Sequence, residues 1–302
     1  MAYAADNLVI VGLGLIGGSL ARALRASGFS RRFIGYGHRE PSLRRGVELG
    51  VIDEFTLDLD EAIARADILV ICTPTLTAAR MLEQILPRLS GRAGGLVVTD
   101  VASVKGSLRD AAVAVVGTMP SQLVLAHPIA GSEHSGVEAS SSDLFVAHRV
   151  ILTPVTGNDP AAVNLVRAMW HSTGAEVVDM TVEQHDSVLA ATSHLPHMLA
   201  YTLVDALSSS ASSDEIFRCA AGGFRDFTRI ASSDPVMWRD IALANKTALL
   251  EAIDLFSAHL ARLRGAVRDE DADELLNTFE RAKRARDEFA ALLARRRQRK
   301  TP

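Results

Sequence analysis

The chain has little cysteine: Cys72 and Cys219 lie far apart and in no C-x-x-C pair. That excludes a disulfide framework and a cysteine-ligated zinc site, and it suits a reducing cytosol. Aromatics are scarce at 5%, so the 48% apolar content is mostly aliphatic, as in an ordinary soluble chain. Neither sign of charge dominates; a net charge of −4 gives no reason to expect nucleic acid or an acidic membrane as partner. Only the tail departs from this, where Arg295, Arg296, Arg297, Arg299 and Lys300 cluster. That cluster reads as a solvated helix end whose cations suit the helix dipole. The opening "MAYAADNLVIVGLGLIGG" has neither the basic front of a signal peptide nor the uninterrupted length of a membrane span. A cytoplasmic protein is expected. No internal repeat and no low-complexity linker occurs.

What is present divides into two parts of different period. The runs "NLVIVG", "RFIGYG", "ADILVICTP", "GGLVVTD", "LVLAHP", "RVILTP" and "AEVVDM" are continuously apolar and of strand length. Continuous rather than alternating apolarity predicts strands covered on both faces, hence a parallel sheet flanked by helices. Segments between them, such as "SLARALRAS", have helical spacing, which makes residues 1–180 a doubly wound α/β domain. From Thr181, a plausible N-cap, residues 181–302 read as all-helical. Pro196 removes an N–H and frees the carbonyl of Thr192, which predicts a kink beside His194 and His197. Trp238, Ile241, Leu249, Phe256, Leu260 and Leu263 repeat at helical spacing over 237–263. One helix carrying that stripe would span roughly 40 Å. So long a stripe needs more cover than a small domain offers, and a homodimer built through this half is expected.

"VIVGLGLIGGSLARAL" places Gly12-x-Gly14-x-x-Gly17 between an apolar strand and a helix. The glycines allow a tight turn and close approach of backbone to a pyrophosphate seated on the helix N-terminus. A lone GxGxxG is weak, but strand before and helix after are the confirming context. Gly12, Gly14, Leu15, Ile16 and Gly17 are therefore candidate cofactor contacts, with Thr73 after "ADILVIC". The second strand ends in "GHRE", where an NAD site usually has an acid for the ribose 2′-hydroxyl. Gly37, His38 and Arg39 stand there instead, so a 2′-phosphate meets no repulsion and a guanidinium is at hand. NADP is the expected cofactor, with NAD as the alternative.

Ligands of open parallel sheets bind outside the carboxyl ends of the strands. "GLVVTD" is followed there by Ser103 and Lys105, and "LVLA" by His127. An imidazole titrating near neutrality suits a hydroxyl that loses hydride and proton together. The stretch "LAHPIAGSEHSG" adds Glu133 and His134 to a turn of small residues that needs neither for its conformation. His185, His194 and His197 complete no metal ligand set, and no metal is expected.

The segments "VGLGLIGGS", "DVASVKG", "HPIAGSEHSG", "SHLPH" and "GGFRDFTRIASSDPVMWRDI" resemble, in order, the motifs of the prephenate/arogenate (cyclohexadienyl) dehydrogenases, the TyrA group. The resemblance implies an N-terminal Rossmann domain and a C-terminal helical substrate and dimerisation domain. It implies oxidative decarboxylation of a cyclohexadienol: hydride leaves the carbon bearing the 4-hydroxyl, that hydroxyl loses its proton, and carbon dioxide departs as the ring becomes aromatic. By the same resemblance His127 hydrogen-bonds the 4-hydroxyl and takes its proton, Ser103 helps fix that imidazole and the same hydroxyl, and Glu133 is a carboxylate at the site's rim. Arg229 holds a substrate carboxylate, with Arg225 four residues earlier left open by spacing, and His194 is a substrate-side histidine. His197 is expected one layer behind, Trp238 in either pocket or core, and His134 toward solvent. The resemblance is expected to include neither a chorismate mutase region nor a regulatory ACT domain. Two rivals are a β-hydroxyacid dehydrogenase of the 6-phosphogluconate type and a non-catalytic NADP(H) sensor. The first relies on a lysine on the opening helix of its second domain, and here that helix has none.

Overall fold

The computed structural model describes residues 4–89, 95–131 and 134–298, the last four by backbone alone. Glu133 and the tail side chains Arg295 to Lys300 lie outside what is described.

The α/β part runs β1 (Ala5–Val11), α1 (Leu15–Ala26), β2 (Ser30–Tyr36), α2 (Glu40–Glu48), β3 (Glu54–Thr56), α3 (Leu59–Arg65), β4 (Ile68–Ile71), α4 (Thr75–Ile85), β5 (Val97–Asp100), α5 (Gly106–Val116) and β6 (Leu123–Val124). Its six strands form one sheet in the order β3-β2-β1-β4-β5-β6, and every pairing is parallel. That is the dinucleotide-binding order of a Rossmann fold, whose strand order reverses between β1 and β4. The continuous apolarity of β1 has its reason here. Leu8 and Ile10 enter one buried cluster, Val9 and Val11 the other, so both faces are dry.

A second, three-stranded sheet follows: β7 (Ala126–Pro128), β8 (Arg149–Leu152) and, after α6 (Pro160–Ser172), β9 (Glu176–Asp179). β7 is antiparallel to β8, and β8 parallel to β9. The run "LVLAHP" is therefore two strands in two sheets. The chain crosses over at Leu125 because other groups take the ladder positions. Asp100 accepts the Ala126 N–H at 3.1 Å, the Lys105 ammonium donates to the Ala126 carbonyl at 2.6 Å, and Thr153 N–H donates to the Leu125 carbonyl at 3.0 Å.

Among the described residues everything after β9 is helical or turn. α7 (Val182–Leu189) starts at Thr181, whose hydroxyl accepts the Gln184 N–H at 3.1 Å. Residues 190–194 widen into a π-turn before α8 (Leu195–Ser208). The missing N–H of Pro196 accounts for that widening. α9 (Ser213–Arg218), α10 (Gly222–Thr228), a 3₁₀ turn at Arg229–Ser232, α11 (Pro235–Ala244), α12 (Lys246–Arg268) and α13 (Ala272–Gln298) follow. The single helix expected over 237–263 is thus two, broken at Asn245. Its side-chain amide donates to the Asp186 carbonyl at 2.9 Å and to His194 Nδ1 at 3.0 Å. Tertiary bonds win over helix propagation at that residue.

The chain forms two compact units, 1–249 and 250–302. In the first, α7 is tied to the sheet side by Asp186, which accepts the N–H groups of Lys105 (2.9 Å) and Gly106 (2.7 Å) at the start of α5. The second comprises the remainder of α12 and α13, turned by an Asp271 N–H bond to the Ala266 carbonyl at 2.9 Å. Leu255, Leu260, Val267, Leu276, Phe279 and Phe289 are exposed on it, Leu255 to 65%. No helix of the described residues is long and apolar enough to cross a membrane.

Candidate active site

The turn from β1 to α1 is built for close approach of a ligand to backbone. Gly12 has φ +92°, and a Cβ there would lie 2.8 Å from Thr73 Cγ2. A Cβ on Gly17 would fall 2.5 Å from the Gly12 carbonyl oxygen, which is what lets α1 pack on the turn. Around Gly14, by contrast, a Cβ would meet nothing within 4 Å. That open face at the N-terminus of α1 fits a pyrophosphate. Thr73 Oγ1 is buried without a partner at the same place, a polar atom awaiting one. Gly14, Leu15, Ile16 and Thr73 all line one cavity of about 520 Å³. His38 and Arg39 are exposed beyond the end of β2, and the Glu40 carboxylate is taken by Arg44 at 2.5 Å.

The same cavity is lined by Ser103, His127, His134, His194, Trp238 and Ile241, so strand ends and helices meet there. His127, on β7, is only 8% exposed. Its Nδ1 lies 2.8 Å from His185 Nε2, and His185 Nδ1 lies 2.7 Å from Asp186 Oδ1. Burial first, then the neighbouring His185, Lys105 and His194, hold the His127 imidazole well below its ordinary 6.5, so it is neutral. Burial also pushes His185 down, against the opposing pull of Asp186. Asp186 is itself below the carboxylate range: burial opposes ionisation, but the His185 ring and the two α5 N–H groups outweigh it. Ser103 lines the cavity without a hydrogen bond to the ring; His185 fixes that imidazole.

Lys105, grouped with Ser103 by sequence, has a different place. It is fully buried and paired with Asp100, which also accepts the Ala102 N–H at 2.8 Å. Burial lowers its basicity and Asp100 restores part of it. This pair holds β5, β7 and the start of α5 together; it does not line the cavity, and its ammonium reaches the site only through its charge on His127 and His185.

His194 is buried, and its pKa falls to about 4, by burial, against the opposing charge of Asp186. Because Asn245 donates to Nδ1, the proton of this neutral ring sits on Nε2. His194 therefore offers the cavity wall a donor, whereas a ring in the opposite tautomer would offer an acceptor. His197, three residues on, stacks on Trp238 with ring centres 3.5 Å apart and planes at 19°. Burial lowers its pKa, a bond to the Ser193 carbonyl opposes, and the charge of Arg229 lowers it further. Arg229, His197 and Trp238 thus share one neighbourhood. Arg225 pairs with Asp226 and its side chain is 80% exposed. His134 is exposed at the cavity rim.

Comparison with known proteins bears on this arrangement directly. The nucleotide-binding domain of prephenate dehydrogenases matches residues 20–179, and their dimerization domain matches residues 181–281. The chain belongs to the prephenate dehydrogenase family. The cyclohexadienyl dehydrogenase of Zymomonas mobilis is 36% identical over 93% of this chain and 94% of its own length. The prephenate dehydrogenase of Bacillus subtilis is 39% identical over 93% of this chain and 76% of its own. Among solved structures, Aquifex aeolicus prephenate dehydrogenase in complex with hydroxyphenyl propionate and NAD+ superposes with a TM-score of 0.85 at 38% identity, covering 94% of this chain and 98% of that one. Synechocystis arogenate dehydrogenase superposes at 0.78 with 30% identity, covering 94% and 99%.

Within this prephenate dehydrogenase fold, sequence reasoning placed His127, Ser103, His194 and the glycine turn around one cavity, and the structure brings them together there. Arg229 does not line that cavity, and Glu133 falls outside the described residues. His185, Asp186 and Asn245 were missed. The adjacent His-Asp of "EQHDS" on a helix was the available signal, but its partner lies 58 residues earlier, and spacing does not reveal the contact.

Proposed function

We propose that this chain oxidatively decarboxylates prephenate, L-arogenate or both, yielding 4-hydroxyphenylpyruvate or L-tyrosine, with His127 as the base. The observation that supports this most is the neutral His127 ring, held by its Nδ1 in a cavity of about 520 Å³ that begins at the glycine turn. Residues 1–180 are read as the dinucleotide-binding domain and 181–302 as the substrate and dimerisation domain.

Gly12, Gly14, Leu15, Ile16, Gly17 and Thr73 fit a nicotinamide dinucleotide, which when bound supplies a hydride acceptor for the ring carbon carrying the 4-hydroxyl. His127 Nε2, the ring nitrogen not engaged by His185, takes the hydroxyl proton as that carbon is oxidised. A neutral imidazole serves because it is already unprotonated at physiological pH. The proton returns to the ring oxygen once carbon dioxide has left and the phenol forms. Ser103, which lines the same cavity as His127, orients the hydroxyl. His194 Nε2–H donates from the helical side. Arg229, outside the cavity lining but near enough to His197 for its charge to be felt there, is assigned a substrate carboxylate by its place in the family motif, as a charge-assisted bond. NADP is the preferred cofactor, because the end of β2 presents His38 and Arg39 and no free acid, Glu40 being paired with Arg44. The exposed apolar side chains of α12 and α13 belong to a homodimer interface.

Steady-state assays at 340 nm with prephenate and with arogenate, each with NAD+ and NADP+, test all of this. Turnover of at least one substrate with a kcat/KM ratio favouring NADP+ is expected. Turnover of neither substrate contradicts the activity, and a strong NAD+ preference contradicts the cofactor assignment.

A further inference from the structure

We propose that His185 and Asp186 are positioning residues that set the tautomer of His127, forcing its proton onto Nδ1 and leaving Nε2 bare for the substrate hydroxyl. This deepens the reading given above and rests on it for the identity of the substrate. The argument starts at the carboxylate. Asp186 accepts three donors: Lys105 N–H at 2.9 Å, Gly106 N–H at 2.7 Å and the His185 ring at 2.7 Å. A carboxylate so surrounded is ionised and purely an acceptor. His185 must then carry its proton on Nδ1, facing Asp186 Oδ1, and a neutral ring with Nδ1–H has a lone pair on Nε2. That lone pair lies 2.8 Å from His127 Nδ1 and requires a donor there. His127 therefore holds its proton on Nδ1, and its other nitrogen is the acceptor.

Each link is enforced by the one before it, and the chain begins at backbone N–H groups that cannot change protonation. Three features argue that the arrangement is more than packing. The rings of His127 and His185 meet edge-on, with centroids 5.1 Å apart and planes at 64°, which directs nitrogen at nitrogen instead of stacking face on face. Both rings are buried, so water does not compete for the bond. The groups facing the pair are Lys105 and Asp100, locked to each other, and His194, occupied by Asn245. None of these takes the proton of His127 Nδ1. Burial keeps both rings neutral, as a tautomer relay needs.

The relay also stabilises the reaction as it proceeds. When Nε2 accepts the hydroxyl proton, the imidazolium is hydrogen-bonded through Nδ1 to His185, whose own proton is held by the Asp186 carboxylate. No proton need pass along the chain for this to help; the two residues orient and polarise.

The test uses the full-length enzyme labelled with 15N-histidine. Long-range 1H–15N spectra of wild type should show His127 with Nδ1 protonated and Nε2 bare. His185→Gln, whose side-chain oxygen can still accept from Nδ1–H, should keep that tautomer and most of kcat. His185→Leu removes the acceptor, so the tautomer preference should be lost and kcat should fall roughly 10- to 100-fold, with KM and cofactor affinity little changed. A wild-type spectrum with Nε2 protonated overturns the proposal, as does His185→Leu retaining both tautomer and kcat. Should His185→Leu fail to fold, the wild-type and His185→Gln spectra still decide. Absence of turnover in wild type would refute the dehydrogenase reading instead, while the spectra would continue to report the tautomer.

Discussion

Single residues carry the chemistry, and their environments make its pH dependence predictable. As the proposed base His127 must be unprotonated, and burial with its cationic and imidazole neighbours holds its pKa well below 6.5. The acid limb of the kcat/KM profile should therefore lie below pH 6.5; a limb above it would show that another group is the base. His194 gives the matching stability statement. Folded, it titrates at about 4, and unfolded near 6.5, so above pH 6.5 its contribution is complete. As pH falls from 6.5 toward 4 the unfolded chain takes up a proton that the folded one refuses, and up to about 3 kcal/mol is lost. Urea unfolding at pH 7 and pH 4.5 measures this; equal stabilities would mean His194 is not held neutral. On the substrate side, Arg229→Ala should raise KM roughly 30- to 1000-fold with kcat less affected, the equivalent of ~2–4 kcal/mol for a charge-assisted bond present in ground and transition states alike. Arg229→Lys should recover only part, since an ammonium lacks the planar fork. Arg225→Ala, exposed and paired with Asp226, is the control and should leave KM unchanged. The reverse pattern would put the carboxylate on Arg225.

At the scale of elements, the buried pair Lys105–Asp100 joins two sheets and a helix start, so it has a larger structural than chemical effect. Asp100→Ala leaves an ammonium buried without its counter-charge and should destabilise the fold by about 3–5 kcal/mol in urea titration. A loss below about 1 kcal/mol would show that the ammonium finds water. The same elements explain what was legible from the amino acids. Strands β1, β2, β4 and β5 announced themselves as continuous apolar runs because their two faces feed two buried clusters. The glycine turn and Pro196 were readable for local, covalent reasons. The short β3, the crossover at Leu125 and the helix break at Asn245 were not. Each is decided by a partner distant in the chain: β2 for β3, Asp100 for the crossover, Asp186 and His194 for the break. His127 was visible as a histidine at a strand end, whereas His185 and Asp186 become part of the site only when α7 folds back onto α5.

For the molecule as a whole, residues 250–302 leave Leu255, Leu260, Val267, Leu276, Phe279 and Phe289 exposed on two helices. Apolar side chains on that scale mark an interface. Sedimentation at micromolar concentration should show a dimer, and Leu255→Asp together with Phe279→Asp should shift it toward monomer; a wild-type monomer would remove the claim. The central claim joins the two ends of the cavity: a dinucleotide at the glycine turn and a base at His127 oxidise and decarboxylate one ring. Its most direct test compares wild type with His127→Ala on prephenate and arogenate, following reduced nicotinamide, carbon dioxide and the aromatic product together, with cofactor binding measured by fluorescence. The account predicts equimolar formation of all three by wild type, and for His127→Ala a loss in kcat of ~10²–10⁴-fold with unchanged cofactor affinity. Near-normal kcat in His127→Ala, or reduced nicotinamide formed without carbon dioxide, would contradict it.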